Sequence, residues 1–144
     1  MKITETAVRA ALAAPALFAD DLVAILNDRG ARDAALVITA QSGDWERLRT
    51  AAATAGRAAS ATPDVSIAGP LVAFAAAAWA TGTMDDELLA LLASVPESDP
   101  ARRMATLMLR CITQNVPAAS WAAGLSKRSV AECLAFGAEN RATA

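Results

Sequence analysis

Apolar residues recur along this chain at the three-and-four spacing of an α-helix, and no stretch sustains the strict alternation of a strand. The opening helix, from about Thr4 to Ala14, stops at Pro15, which can begin the next helix in its first turn. That second helix puts Phe18, Leu22, Ile25 and Leu26 on one stripe with Asp20, Asp21 and Asp28 off it, and Gly30 is expected to end it. Arg32 to Ala40 includes Leu36-Val37-Ile38, which has no second strand to pair with and so reads as helix. Asp44 is expected to cap a helix with Trp45, Leu48, Ala52 and Ala55 inward and Glu46 one turn from Arg49 outside.

Residues 60–69 gather Ser, Thr, Pro, Asp and Gly and form the plausible linker between two sub-halves, 1–59 and 70–144, of one domain. Pro70 then opens a helix over Leu71–Ala80, closed by Gly82. Thr83-x-x-Asp86 has the form of a capping box, and Asp85-Asp86-Glu87 suits the positive end of the following helix, with Leu88, Leu89, Leu91 and Leu92 behind it. Asp99-Pro100 is a cap and first-turn pair before a stripe of Met104, Leu107, Met108, Cys111 and Ile112. Pro117 starts a short helix to about Ala123. Ser126 is expected to cap a last one with Val130, Cys133 and Leu134 inward, ended by Gly137 before a fraying tail to Ala144. The expectation is an all-α domain of about nine short helices.

Composition narrows the chemistry further. Of 144 residues 55% are hydrophobic, and 39 of the residues are alanine, so the apolar mass is small in volume and favours helix. With net charge −2 the chain has no global basic field. The lack of histidine removes imidazole triads and His metal ligands. Cys111 and Cys133 do not form a CxxC or metal spacing and read as free thiols among apolar neighbours. Val65 to Met84 carries no charge, but Ser66, Gly69-Pro70 and Thr81-Gly82-Thr83 reduce its continuous apolar run to Leu71–Ala80, too short for a bilayer. No secretory signal opens the chain, and a cytoplasmic protein without metal or cofactor is expected.

Three segments occur in order: Arg32-Asp33-Ala34-Ala35-Leu36, Ala78-Trp79-Ala80-Thr81-Gly82, and Val116-Pro117-Ala118-Ala119-Ser120-Trp121. Together, over roughly Thr4 to Trp121, they resemble the C-terminal helical half of a large actinobacterial family classed as a domain of unknown function. The resemblance implies helical hairpins but no activity and no catalytic residues. Family members usually carry a further N-terminal half, and the Gly-Asp-Gly that follows their Trp is here Gly82-Thr83-Met84. The helix pairs also look tetratricopeptide-like, although Gly82 to Pro100 is too short an interval for a repeat of roughly 34 residues.

Several side chains admit a functional and a structural reading. Arg32, oriented by Asp33, could contact a phosphate or carboxylate, or the two could form a helix-start ion pair. Asp85, Asp86 and Glu87 could face a cation, but adjacent helical residues diverge, which favours dipole capping. Trp79, Gly82, Pro117 and Trp121 read as structural anchors. Ser120 to Leu134 has the form of a helix-turn-helix, with the turn at Gly124 and with Lys127, Arg128 and Ser129 leading the second helix, where DNA contacts are made. Residues 101–144 carry net +4 and 1–100 carry −6, a modest support. The leading expectation is a non-catalytic protein-interaction module, partnered by another protein or by itself as a homodimer through Phe18, Leu22 and Leu36. The alternative is a small DNA-binding regulator using residues 117–137.

Overall fold

A computed structural model describes residues 2–143. Among them it contains nine helices and no strand: α1 (Glu5–Ala13), α2 (Ala19–Asn27), α3 (Arg29–Ser42), α4 (Trp45–Ser60), α5 (Ala68–Ala80), α6 (Asp86–Ala93), α7 (Arg102–Thr113), α8 (Ala118–Ser126) and α9 (Val130–Thr143). The all-α class expected from the periodicity is the class observed.

Capping residues set most of the boundaries. Thr4, Asp44 and Asp85 each accept a backbone N–H three residues on, satisfying an amide that the first turn of a helix leaves free. The expected capping box at Thr83 is displaced by one such cap. Asp85 takes the Leu88 amide at 2.8 Å, while the Thr83 hydroxyl accepts from Arg49 Nη1 at 2.8 Å. Gly82 ends the turn after α5 with φ of +73°, the left-handed conformation in which a side chain is strained.

Gly30 does not end α2. The break falls at Asp28, whose extended backbone and carboxylate cap α3 through the Ala31 amide at 2.9 Å. Gly30 lies inside the first turn of α3, where α9 crosses so closely that an added Cβ would stand 2.4 Å from Gly137 Cα. Gly137 likewise is interior to α9, not its end, and the helix continues to Thr143. Glycine at both positions lets the two backbones touch.

This crossing makes α3 the axis of the fold. Its residues from Ala34 to Thr39 are all buried, covered by α1 and α2 on one side and by α8 and α9 on the other. α5, equally buried over Ala75 to Ala78, packs on α4 and α2. One hydrophobic cluster therefore runs from Ile3 to Cys133 through both sub-halves. α9 returning to α3, and α2 packing on α4, differ from a stack of successive tetratricopeptide-type hairpins, in which a pair touches only its neighbours. The linker region is itself tied down. Asn27 Nδ2 donates to the Ser66 carbonyl at 2.8 Å, its Oδ1 accepts the Gly69 amide at 3.0 Å, and Ser66 Oγ donates to Asp99 Oδ2 at 2.6 Å. No helix among the described residues is long and apolar enough to cross a membrane.

Candidate functional site

Arg32 sits in the first turn of α3, which Asp28 caps, and is only 1% exposed. Its Nη1 donates to the Leu26 carbonyl at the end of α2, 3.1 Å away, while its Nε has no hydrogen-bond partner. Burial pushes the guanidinium below its ordinary pKa, opposed first by Asp33 and then by Asp99. Asp33 does not form the expected local ion pair. Its carboxylate lies 4.0 Å from Arg128 Nη1, in the turn between α8 and α9. Burial raises the Asp33 carboxyl above its ordinary value, against the pull of Arg32 and then Arg128.

These groups line a cleft of about 220 Å³ between α3, the start of α7 and the α8–α9 turn. Arg29, Arg32, Arg103 and Arg128 supply four guanidiniums against the single carboxylate of Asp33, and Met104 and Leu107 supply an apolar wall. α3 and α7 do not pack on each other, which leaves the cleft open between them. Arg29 is braced over the ring of Phe136, 5.0 Å from its centre. The spacing of Arg29, Arg32 and Asp33 puts them on one helical face, a signal present in the sequence. Nothing local links them to Arg103.

The helix-turn-helix expectation is corrected in its details. α8 runs through Gly124 to Ser126, so Gly124 makes no turn, and Ser126 Oγ donates back to the Ala123 carbonyl instead of capping. Lys127, Arg128 and Ser129 are themselves the turn, and Ser129 caps α9 by accepting the Glu132 amide at 3.2 Å. Gln41 Nε2 donates to the Ser126 and Arg128 carbonyls, fastening this turn to the end of α3. α9 buries Val130, Cys133 and Gly137, and its exposed surface includes Glu132, Phe136 and Glu139. Lys127, Arg128 and Ser129, expected to lead the recognition helix, precede it and are all exposed.

Leu22 and Leu36 are fully buried and Phe18 packs half-buried against the same core, so they form no interaction face. The reason is that α2 and α3 are covered by the chain's own helices. Trp121 lies between Trp79 and Trp45, with ring centres 5.0 and 5.9 Å away, and joins α8 to α5 and α4. Trp79 and Trp121 are anchors in this sense, and Pro117 holds the residue before α8 extended. Trp45 was legible as an inward residue but not as the third member of the cluster. Of the α7 stripe only Met108 is closed off, with Ala105 on its flank; Leu107 remains 45% exposed. Cys133 is buried, which raises its thiol pKa, and Cys111 is half-buried. No cluster of three metal-ligating side chains occurs among the described residues.

Comparison with family models, with curated proteins and with solved structures gives no match.

The buried carboxyl has a measurable consequence. Because the folded chain holds the Asp33 proton more tightly than the unfolded chain, this group's contribution to stability falls as pH rises from 3.8 through the folded value. Asp33→Asn removes the titration, so the variant's melting temperature should gain on that of the wild type across this window. A difference that stays constant with pH would show the carboxyl to be unperturbed.

Proposed function

We propose that this chain is a non-catalytic, cytoplasmic protein-interaction module that takes an acidic amphipathic segment of a partner along α7. The observation that carries this reading is the half-open stripe of that helix. Met104, Leu107, Cys111 and Ile112 are spaced as a core face, yet α7 packs only on α6 and α5 and leaves them partly exposed. An apolar helical stripe flanked by charge is the surface that another amphipathic helix covers. α7 contains Arg102, Arg103 and Arg110 and no acidic residue. Arg102 is occupied with the Val95 and Ala93 carbonyls, while Arg103 and Arg110 are exposed. Pairing two copies through this helix would set arginine against arginine, whereas an acidic partner complements it.

The resemblance to the actinobacterial family of unknown function supports the architecture and not a site, since Trp79, Gly82 and Trp121 are structural here. Leu107→Asp should abolish capture of a specific partner from host lysate, and Leu17→Asp, at the 80% exposed leucine before α2, should leave it intact. Capture that survives Leu107→Asp would overturn the reading. Light scattering of the isolated chain should give a mass near 14.8 kDa, and twice that would point to self-association instead.

A further inference from the structure

A groove of about 690 Å³ between the start of α1 and α9 is walled mainly by Ala131, Leu134, Ala135 and Ala138, and Arg141 at its edge is engaged with Asp28. Another, of about 600 Å³ between α4 and α5, is lined mostly by small and apolar residues, among them Phe74 and Leu71, with Arg57 and Ser60 as its polar groups. The first sets Lys2 and Arg141 against Glu5, and the second carries Arg57 as its single charged group. The arginine cleft at Arg32 brings four guanidiniums together.

We propose that this cleft binds a phosphate monoester, with Arg32 as the floor of the site and Arg29, Arg103 and Arg128 around it. The buried guanidinium of Arg32 is the strongest part of the case. A buried charge is stable only when its hydrogen-bonding groups are met. Here Nε has no partner, and the nearby carboxylates are engaged elsewhere. Asp28 accepts the Ala31 amide and pairs with Arg141, and Asp99 accepts from Ser66 and Ala101. Asp33 is the one carboxylate in the cleft lining, 4.0 Å from Arg128, while Asp99 and Asp28 act on Arg32 from outside the lining. Among its lining groups the cleft thus sets four guanidiniums against one carboxylate.

A phosphate monoester complements that set. It carries close to two negative charges and three acceptor oxygens, which guanidinium forks approaching from different elements can share. The volume of about 220 Å³ exceeds a bare phosphate, and Met104 and Leu107 offer an apolar wall for the carbon side of the ester. α3 brings Arg29 and Arg32, α7 brings Arg103, and the turn held by Gln41 brings Arg128. Each element contributes a donor that the others cannot replace. Met104, Leu107 and Arg103 also belong to the α7 face proposed for a protein partner, and phosphate binding is tested on the isolated chain, where its failure leaves that reading standing.

Thermal melts and calorimetric titrations with inorganic phosphate, against chloride at equal ionic strength, decide the matter. Phosphate should raise the melting temperature saturably and chloride should not. Arg103→Gln, a change on the exposed rim, should leave the unliganded melt unchanged and weaken phosphate binding roughly tenfold, the loss of about one charge-assisted contact. Arg32→Gln should abolish binding; if it fails to fold, Arg103→Gln and Arg128→Gln carry the test. Arg57→Gln on α4, remote from the cleft, should bind as wild type does. A sugar phosphate and a phosphoserine peptide separate the sources, since tighter binding of one identifies a metabolite or a modified partner. Equal effects of phosphate and chloride, equal affinity in Arg103→Gln, or equal binding of the unphosphorylated peptide would overturn the proposal.

Discussion

Replacing Gly30 with alanine is expected to destabilise the protein by about 3 kcal/mol, the upper end of overpacking costs. Helix propensity alone argues the opposite, since alanine is favoured over glycine inside a helix by about 1 kcal/mol. The new methyl would meet Gly137 Cα at 2.4 Å and the Cys133 carbonyl at 2.5 Å, and these backbone atoms cannot swing aside as a side chain does. α9 must shift away from α3, opening the contacts of Val130 and Cys133. For a chain of this size the melting temperature should fall by on the order of 10 °C, and amide exchange should quicken first in α9. Gly124→Ala is the matched contrast, because its Cβ points into open space within α8. It should hold or raise stability by a few tenths of a kcal/mol or more. A neutral Gly30→Ala would mean that α9 does not seat on α3 as described.

Trp121→Ala is expected to cost about 3 kcal/mol, at the low end for deletion of a buried tryptophan because this indole is only half covered. It loses its packing on Trp79 and on Trp45 together, and with it the joint between α8 and the α4–α5 pair. Trp79→Ala and Trp121→Ala combined should cost less than the sum of their separate losses. A double-variant cycle should show coupling of about 0.5–1.5 kcal/mol between the two rings. Near-ultraviolet dichroism should weaken in each single variant. Unchanged melting in Trp121→Ala would place the ring on the surface and remove its anchoring role.

Much of the local structure was legible, because local physics decides it. Asp44 followed by Trp45, Leu48, Ala52 and Ala55 gives a cap and a stripe, and both are as expected. The errors share a cause. Gly30, Gly124 and Gly137 each look like a helix stop, but a glycine can equally be demanded by a neighbour's backbone or merely tolerated inside a helix. Gly30 and Gly137 face each other from distant parts of the chain, and no local pattern encodes that meeting. Ser126 was expected to cap the last helix, but α8 runs on through it and Ser129 caps α9 instead. At the candidate site, Arg29, Arg32 and Asp33 share a face by spacing alone. That Asp33 reaches to Arg128 and that Arg103 closes the rim are facts of tertiary structure.

The position of α3 also governs the order in which this protein can become itself. It is made before α8 and α9, which supply about half of its covering. Until they follow, Ala31, Ala34 and Ile38 belong to a nascent chain whose central helix lacks part of its shelter, a state in which exposed apolar surface invites chaperone capture or aggregation. Contacts this remote in sequence also slow folding. Alanine and glycine at the α3–α9 crossing keep that unsheltered surface small, so the waiting chain displays fewer sticky side chains than a leucine-rich seam would.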